Sequence, residues 1–426
     1  MQVTIIGAGI IGIQCAHQLL DDGHTVTLID PDGLAERTSR GNAGMIAHTD
    51  ISPLASPKMW RKLPRWLLDP MGPLSVRPAY ALAILPWMLK FLASSSRSKL
   101  EASTEALYAL NSLAMPAWER RLGKLGIADQ HLRRRGYLYV WGNRGDFEAA
   151  KSGTLKQQQA LGIPTEVLDN LASIRRLEPA FGGKAVGAAH YPTGAGVDNP
   201  ATVSKRLGQL ALDRGAVLKQ KPVRSVFPVD GGVEIVTGDG AKFHADMAII
   251  AAGAWSRPFA KALGDDVPLD TERGYNVTLP KGSLGLTRSI ILDGEGVALS
   301  PFDDCDRLGG SVEFAGLVAK PNYARVDAIL ARTRPYLPDA KLDGGTRWMG
   351  FRPSLPDSLP VIGRSSASDR IIYAFGHSHY GLTESAATAE IVGALVGQRQ
   401  SPIDVGPFAA RRWGHVWTAP VRQVLS

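Results

Sequence analysis

The sequence is poor in cysteine. Its 426 residues include Cys15, Cys305 and no third cysteine. Two distant thiols without a Cys-x-x-Cys pair cannot form the disulfide framework of a small secreted domain or a thiolate-rich zinc centre. We therefore predict no metal site and a chain that folds in a reducing compartment.

Long hydrophobic runs are also absent. The longest uncharged apolar stretch, residues 78–89, contains Pro86, and it is far shorter than the roughly 20 residues that a membrane-spanning helix needs. Met1 leads directly into an apolar segment, without the basic residues that open a secretion signal. These features favour a cytoplasmic protein.

Runs of like charge are short as well. The formal net charge is +8, but the densest basic cluster is only Arg133, Arg134 and Arg135. Because nucleic-acid-binding patches are larger, we predict no nucleic-acid partner and attribute this cluster to a solvated face. The net positive charge favours small anionic partners such as phosphates and carboxylates.

The most informative segment that is present is residues 3–30, VTIIGAGIIGIQCAHQLLDDGHTVTLID. A β-branched apolar run, a GxGxxG turn, apolar residues at helical spacing and a second apolar run predict a βαβ unit. In such a unit the glycines let the backbone approach a pyrophosphate, and an acid after the second strand binds a ribose. The residues predicted for these roles are Gly7, Ala8, Gly9, Ile10, Ile11, Gly12 and Asp30. FAD and NAD both fit this turn.

Two later segments favour FAD. Residues 245–256, ADMAIIAAGAWS, predict a buried strand that ends in a small-residue turn, an element that dinucleotide flavoproteins place beside the first βαβ unit. Residues 371–396 predict a strand, a Gly/His turn and a helix, whose N-terminal dipole suits the electron-rich edge of a flavin. The residues concerned are Ala251, Ala252, Gly253 and Trp255 in the first segment and His377, Tyr380, Gly381, Leu382 and Thr383 in the second.

With these segments in place, the sequence resembles the D-amino acid oxidase superfamily of FAD-dependent oxidoreductases, in particular its bacterial D-amino acid dehydrogenase-like branch. The resemblance covers nearly the whole chain and depends on motifs that are specific in combination rather than singly. The motifs are GAGIIG at 7–12, TSRGNAGMI at 38–46, LPRWLLDPMGPLSVRP at 63–78, AAGAWS at 251–256, RGYNVTL at 273–279, GFRPSLPDSLPVIG at 350–363 and GHSHYGLT at 376–383.

The resemblance implies a non-covalently bound FAD in an extended pose. It places one loop near the pyrophosphate and the flavin, and one strand residue near the adenine. The loop residues are Thr38, Ser39, Asn42, Ala43, Gly44, Met45 and Ile46, the adenine neighbour is Val223, and Gly350 is assigned to the cofactor environment.

The same resemblance places a carboxylate-binding arginine in the GFRP motif, which is Arg352 here. A planar guanidinium suits this task because it binds a carboxylate through two hydrogen bonds, and an interdomain salt bridge is the alternative role. Tyr275 lies in a segment that covers the substrate, where its hydroxyl holds the same carboxylate or packs within a strand. His48, His377 and His379 are candidates for accepting an ammonium proton, with a structural role as the alternative.

The implied reaction is oxidative deamination of a small amino or imino acid, with a D-amino acid or a D-proline derivative as the expected substrate. Hydride transfer from the α-carbon to flavin N5 gives an imino acid, which water converts to a 2-oxo acid. The alternatives are a glycine- or sarcosine-type amine oxidase that uses oxygen, an NAD-dependent dehydrogenase, a flavin-dependent monooxygenase, and a non-catalytic FAD-binding or membrane-surface protein.

A quinone or another acceptor is expected to take the electrons. Residues 59–100 mix Trp and Phe with Arg and Lys, which is typical of a segment that lies on a membrane surface. We therefore expect a possible peripheral contact with the inner membrane through this segment, with an amphipathic helix pair over the active site as the alternative.

The predicted fold is α/β with an α+β substrate part. A Rossmann-like FAD-binding domain comprises residues 1–50, 185–258 and 346–426. The interleaved substrate domain comprises residues 51–184 and 259–345 and is built on an antiparallel or mixed sheet.

Overall fold

A computed structural model of the protein describes residues 1–55 and 71–414. The strands are β1 (Gln2–Ile6), β2 (Thr25–Ile29), β3 (Met45–Ile46), β4 (Leu74–Val76), β5 (Leu132–Arg133), β6 (Tyr137–Trp141), β7 (Glu166–Leu168), β8 (Gly187–Tyr191), β9 (Ala195–Val197), β10 (Val217–Lys219), β11 (Val223–Val229), β12 (Gly232–Thr237), β13 (Lys242–Ala245), β14 (Met247–Ile250), β15 (Asp270–Pro280), β16 (Ser289–Asp293), β17 (Val297–Pro301), β18 (Cys305–Phe314), β19 (Thr346–Ser354), β20 (Val361–Arg364) and β21 (Ile371–Phe375).

Helices and short helical turns connect these strands. The α-helices are α1 (Ile10–Asp21), α2 (Ala81–Ser94), α3 (Arg97–Lys124), α4 (Ala128–His131), α5 (Arg144–Ala150), α6 (Lys156–Ala160), α7 (Leu171–Leu177), α8 (Pro200–Asp213), α9 (Arg257–Ala262), α10 (Ala324–Thr333) and α11 (Gly381–Val396). The shorter turns are a π-helical turn at Lys151–Leu155 and 3₁₀ turns at Thr38–Gly41, Pro78–Tyr80, Gly253–Trp255, Gly406–Phe408 and Ala410–Trp413.

One sheet, here called the parallel sheet, has the strand order β10-β2-β1-β14-β21-β20 and is parallel apart from β20. Successive side chains of a strand point to opposite faces, so these continuous apolar strands can be buried on both sides. Ile5 packs with the apolar residues of α1 and α11, whereas Ile6 packs with the small antiparallel sheet β11-β12-β13. The result is a three-layer Rossmann-like unit, which confirms the βαβ prediction for residues 3–30.

The second sheet, here called the mixed sheet, has the order β19-β15-β18-β17-β16-β6-β8-β7, with β4 beside β18. One face packs against α7 and α10 through a core that includes Val277, Leu308 and Ile329. The opposite face carries an aligned row of residues, one from each of the strands between β19 and β6. In strand order the row is Trp348, Asn276, Gly309, Ala298, Ile291 and Tyr139.

The two sheets draw on interleaved parts of the chain. The described strands of the parallel sheet all come from the three segments predicted for the FAD-binding domain. Two strands inside those predicted limits, β8 and β19, instead pair within the mixed sheet. The chain therefore leaves the mixed sheet after Tyr191 and again after Ser354, and the predicted domain limits stay a prediction.

Helix α2 has two apolar faces. Ile84, Trp87 and Phe91 are buried in a cluster with Phe314. The outward side chains are Leu82, Leu85, Leu89 and Leu92, of which Leu82 is 87% exposed. In the part of the chain that the structure describes, no helix is long and apolar enough to cross a bilayer. Residues 59–70 of the predicted membrane segment lie outside the described residues.

Candidate active site

A cavity of about 710 Å³ lies between the carboxyl ends of the parallel strands and the aligned row of the mixed sheet. This volume is within the range of cofactor and ligand sites. Ligands of open α/β sheets bind at the carboxyl ends of the strands, because the N-termini of the following helices point there. The cavity therefore joins a region suited to a nucleotide with a region lined by side chains of the mixed sheet.

Most residues predicted to bind cofactor or substrate line this cavity. They are Gly7, Gly9, Ile10, Ile11, Asp30, Thr38, Ser39, Asn42, Ala43, Met45, Val223, Ala251, Ala252, Gly253, Trp255, Tyr275, Gly350, Arg352, His377, His379, Tyr380, Gly381, Leu382 and Thr383. The predicted residues outside the lining are Ala8, Gly12, Gly44, Ile46 and His48. The structure thus brings segments from the whole length of the chain to one place.

The turn after β1 leaves no room for side chains. Gly7 has a φ of +108°, and a Cβ there would lie 2.5 Å from the carbonyl oxygen of Ala251. A Cβ on Gly12 would lie 2.0 Å from the carbonyl oxygen of Gly7, so Gly12 permits α1 to pack against β1 without itself lining the cavity. Gly9 is the N-cap of α1 and makes no side-chain capping bond. Ile10 N donates to Ser39 Oγ (3.0 Å), and the other N–H groups of the first turn of α1 can bind an anion such as a pyrophosphate.

Asp30 lies at the end of β2, beside this turn. Its carboxylate accepts hydrogen bonds from the backbone N–H groups of Ala8 (2.9 Å) and Asp32 (2.9 Å), so Ala8 positions Asp30 without touching the cavity. Burial raises the pKa of Asp30. A carboxylate has about four acceptor sites, which leaves lone pairs of Asp30 for the hydroxyls of a ribose.

The N-terminus of α11 forms the part of the cavity predicted to face the flavin. Thr383 Oγ1 accepts a hydrogen bond from Ala47 N (3.0 Å) and donates one to Met45 O (3.3 Å), which ties the loop after the nucleotide turn to this helix. Tyr380 is the N-cap residue of the helix, and its side chain makes no capping hydrogen bond. The positive end of the helix dipole therefore points into the cavity.

The donor and acceptor groups of the cavity fit a flavin dinucleotide. Two helix N-termini supply N–H groups for its anionic and electron-rich parts, and Asp30 supplies acceptors for a ribose. On the facing row, Asn276 Nδ2 donates to Gly41 O (2.9 Å), while its buried Oδ1 has no hydrogen-bond partner among the described residues. This free acceptor faces a cofactor-sized space, so the residues present could hold FAD.

The three candidate histidines are poorly placed or poorly suited as bases. Burial lowers the pKa of His377 to about 3. Burial and the positive charge of Arg352 lower the pKa of His379 to about 3. His48 lies outside the cavity lining. A base whose pKa is far below neutrality is a weak proton acceptor at neutral pH, so the prediction of a histidine base gains no support from this geometry.

Arg352 reaches into the cavity from β19. Its guanidinium lies across Gly274 of β15, where a Cβ would stand 2.4 Å from Nη2, and its Nη1 donates to Ser311 O (2.9 Å) on β18. Among residues 1–55 and 71–414, Arg352 forms no ion pair. Its cross-strand neighbour Glu272 accepts a hydrogen bond from Ser354 Oγ (2.6 Å) instead. The guanidinium therefore keeps donors for a bidentate carboxylate, and its role in binding substrate stays a prediction.

Tyr275 also lines the cavity, but its hydroxyl is already engaged. It donates to Glu313 Oε2 (2.5 Å) and accepts from Asn322 N (3.1 Å). Burial raises the pKa of this tyrosine. Its hydrogen bonds therefore fit the alternative of a packed strand tyrosine better than the predicted role in holding a substrate carboxylate.

Sequence reasoning missed several lining residues of the mixed sheet, because they belong to no motif. The indole of Trp348 lies against Gly41 and Gly350, where a Cβ would stand 2.1 and 2.0 Å from it. Asp50 lines the cavity and accepts hydrogen bonds from the Tyr139 hydroxyl. The available signal for Asp50 was a single acid in the mostly apolar stretch that follows the predicted flavin loop.

Comparisons with known proteins agree with this geometry. The family model described as DAO, FAD dependent oxidoreductase, matches residues 2–395. A D-amino-acid oxidase of Bradyrhizobium diazoefficiens is 33% identical over 418 residues, which cover 96% of this chain and 98% of that protein. A D-amino acid dehydrogenase of Rhizobium johnstonii is 29% identical over 425 residues, which cover 97% of this chain and 100% of that protein.

Solved structures share the fold. Glycine oxidase from Geobacillus kaustophilus matches with a TM-score of 0.73 and 21% identity, over 96% of this chain and 98% of that one. L-proline dehydrogenase from P. horikoshii matches with a TM-score of 0.75 and 17% identity, over 97% of each chain. The α/β fold and the FAD cofactor predicted from the sequence are thereby confirmed. The chain belongs to the DAO family of FAD-dependent oxidoreductases.

Proposed function

We propose that this enzyme oxidatively deaminates D-amino acids. The observation that carries the proposal is the guanidinium of Arg352, which has no ion-pair partner among the described residues and lines the same cavity as the dinucleotide turns. The names of the relatives, D-amino-acid oxidase and D-amino acid dehydrogenase, support the substrate class. A cyclic imino acid such as a D-proline derivative is a variant of the same reaction.

The chemistry that FAD supplies when bound is acceptance of a hydride from the substrate α-carbon. The residues of the chain bind and orient the substrate. Arg352 fixes the α-carboxylate in one plane through two hydrogen bonds, which limits the orientations of the α-carbon. The apolar residues of the mixed-sheet row exclude water from the reacting bond. The N-terminus of α11 stabilises negative charge that develops near it. Water then hydrolyses the released imino acid to a 2-oxo acid and ammonia.

Anaerobic mixing of the FAD-loaded protein with D-, L- and N-alkyl amino acids tests this proposal. We expect D-amino acids to bleach the visible absorbance of the flavin by reducing it, while the L-enantiomers leave it unchanged. Reduction by sarcosine and glycine alone would favour the glycine- or sarcosine-type amine oxidase. A flavin that no amine reduces would contradict the proposal and favour a non-catalytic FAD-binding protein.

For the electron acceptor, we propose a quinone rather than oxygen. The support is the dehydrogenase name of several relatives, including that of Rhizobium johnstonii. After reduction by substrate, a soluble quinone analogue is expected to restore the oxidised spectrum faster than air-saturated buffer does. Rapid reoxidation by oxygen with stoichiometric hydrogen peroxide would contradict this choice.

A quinone dissolved in lipid would be reached most easily from a membrane surface, and the outer face of α2 suits an anionic bilayer. Leu82 and Leu89 are 87% and 59% exposed, and the exposed Arg97 and Lys99 follow at the start of α3. Apolar side chains beside basic ones are typical of helices that lie in a lipid interface. The protein is expected to sediment with vesicles that contain anionic lipid. A Leu82→Glu, Leu89→Glu variant with unchanged flavin absorbance is expected to stay in the supernatant. Equal sedimentation of both proteins would contradict the contact.

A further inference from the structure

Asp50 is an acidic side chain in the cavity that the proposed reaction does not use. It follows β3 by four residues and lines the cavity. The Tyr139 hydroxyl lies 2.8 and 2.7 Å from its two carboxylate oxygens, and the Tyr380 hydroxyl lies 3.5 Å from one of them. The backbone carbonyl of Asp50 accepts a hydrogen bond from Asn111 Nδ2 (2.6 Å), which fixes the residue on α3. Asp50 is therefore held in place with its carboxylate toward the cavity.

The carboxylate of Asp50 has no cationic partner within residues 1–55 and 71–414. Among the residues that the structure describes, no Arg, Lys or His forms an ion pair with it. Its protein donors are the two tyrosine hydroxyls, whereas an ionised carboxylate has about four acceptor sites. A charge removed from water is costly unless a cation or further hydrogen bonds compensate it. Burial raises the pKa of Asp50 to about 6, so the group is mainly ionised at pH 7 and above.

Two charged groups of the cavity lining, Arg352 and Asp50, lie at separate places along the mixed sheet. The Arg352 guanidinium donates to Ser311 on β18, and Asp50 is bonded to Tyr139 on β6. The strand order β18-β17-β16-β6 puts three strand spacings between these two positions. With neighbouring strands about 4.8 Å apart, the separation along the sheet is about 14 Å. This is too far for both groups to contact the carboxylate and the α-amine of one glycine-sized substrate.

An amino acid with a long cationic side chain matches this separation. Lysine in its extended form spans about 7 Å from the carboxylate carbon to the terminal nitrogen. A charged contact at each end, measured to the central atom of the protein group, adds about 3 to 4 Å. The sum is about 14 Å, and the aliphatic part of such a side chain would lie along the apolar middle of the row, Ala298 and Ile291.

We propose that Asp50 is a specificity-determining residue that binds the distal cation of the substrate, so that the enzyme prefers D-amino acids with an amino or guanidino group at the end of the side chain, such as D-lysine, D-ornithine or D-arginine. This inference rests on the proposed function for the identity of the reaction. Tyr139 and Tyr380, whose hydroxyls contact the Asp50 carboxylate, also line the cavity. The α-amine and the hydride transfer from the α-carbon are left to the region near Arg352.

A binding experiment with ligands that lack an α-amine tests Asp50 without requiring turnover. 6-Aminohexanoate has the carboxylate and the terminal ammonium of lysine, and hexanoate is the control that keeps the carboxylate and lacks the ammonium. Binding to the FAD-loaded protein is followed at pH 8 through the perturbation of the flavin absorbance or the rise in Tm. We expect 6-aminohexanoate to bind about 30-fold or more tightly than hexanoate. Its ammonium pairs with the buried Asp50 carboxylate, which hexanoate leaves without a cationic partner. In Asp50→Asn this preference is expected to disappear while hexanoate affinity stays the same.

A second variant keeps the charge and moves it. Asp50→Glu places the carboxylate one methylene further into the cavity, so the preference is expected to persist and to shift from 6-aminohexanoate toward the shorter 5-aminopentanoate. Flavin absorbance and Tm of both variants show whether they fold. Equal affinity of wild type for the two six-carbon ligands would overturn the proposal.

Turnover separates this role from that of a proton acceptor. Asp50→Asn is expected to lower kcat/KM for D-lysine about 30-fold or more, through KM, and to leave D-norleucine within about threefold. An equal fall in kcat for both substrates, with a changed pH profile, would instead make Asp50 a base and would overturn the specificity role. If no amino acid reduces the flavin, the proposed function fails, but the 6-aminohexanoate comparison still tests Asp50 by itself.

Discussion

The two ends of the cavity are built in different ways. At the nucleotide end, backbone groups of short continuous turns face the ligand space, and their glycines exclude side chains. At the substrate end, isolated side chains come from separate segments: Arg352 and Asn276 from strands of the mixed sheet, and Asp50 from the loop after β3. A backbone site depends on local conformation, whereas a side-chain site depends on strand register. The two ends should therefore respond differently to substitution.

The largest expected effect is at the nucleotide end. In Gly12→Ala, the new Cβ would lie 2.0 Å from the backbone oxygen of Gly7. The clash is with backbone, so it cannot be relieved by moving a flexible side chain. We expect a loss of about 3 kcal/mol in the free energy of unfolding and loss of bound FAD, measured by thermal unfolding and by flavin absorbance. The matched control is Gly123→Ala on α3, where no atom lies within 4 Å. It should be neutral or stabilise by up to about 1 kcal/mol. Full FAD content in Gly12→Ala would contradict this account of the turn.

The second-largest effect is expected at the substrate end alone. Arg352→Ala is expected to lower kcat/KM for a D-amino acid about 100- to 1,000-fold, because the substrate carboxylate loses its buried charged partner. FAD content should not change, since the hydrogen bond that Arg352 makes within the described residues goes to Ser311 on the mixed sheet. Arg352→Lys should restore only part of the loss, because an ammonium cannot form the planar pair of hydrogen bonds. A colourless Arg352→Ala protein would show that the two ends are not independent.

This difference also explains what the sequence could predict. The glycine turn, Asp30 and the α11 segment are local patterns, so each could be recognised without knowledge of its neighbours. Arg352 was predicted through a motif resemblance, and the absence of a side chain at Gly274 lets its guanidinium cross β15. Asp50 and Tyr139 are 89 residues apart and meet only through tertiary packing. No local pattern carries that information.

The predictions that gained no support concern hydrogen-bond partners. Tyr275 was correctly placed in a strand that lines the cavity, but its hydroxyl bonds to Glu313 of the next strand. The titration of His377 and His379 depends on how completely the fold encloses them. Both properties follow from the register of the mixed sheet and the depth of burial, and periodicity along the chain does not determine either of them.

A smaller effect sharpens the role of Gly274. In Gly274→Ala the added Cβ would lie 2.4 Å from Arg352 Nη2, the end of a flexible side chain rather than backbone. The guanidinium should move while the sheet stays intact, so we expect KM for the amino acid to rise about tenfold with little change in Tm. The control Gly183→Ala adds a methyl group where no atom lies within 4 Å. An unchanged KM in Gly274→Ala would mean that the position of Arg352 over β15 is not the one that binds substrate.

The smallest expected effect is a stability change at Asp50 that depends on pH. The pKa of this carboxyl is raised from its ordinary value of 3.8 to about 6, mainly by burial. The groups around it that titrate are Tyr137, Tyr139, Tyr191, Tyr380 and Asp293. The pKa values of the tyrosines are raised, so they stay neutral, and the charge of Asp293 adds to the rise at Asp50.

Between pH 3.8 and 6 the folded protein binds the Asp50 proton more tightly than the unfolded chain does, so ionisation of Asp50 lowers the stability of the fold as pH rises through this window. Asp50→Asn removes that penalty. We expect the variant and the wild type to have similar stability at pH 4, and the variant to gain about 1 to 2 kcal/mol by pH 7. Chemical unfolding of the FAD-loaded proteins at the two pH values measures this difference. An equal gain in the free energy of unfolding at both pH values would mean that burial does not destabilise the ionised Asp50 carboxylate. It would also remove the energetic reason for Asp50 to bind a cation.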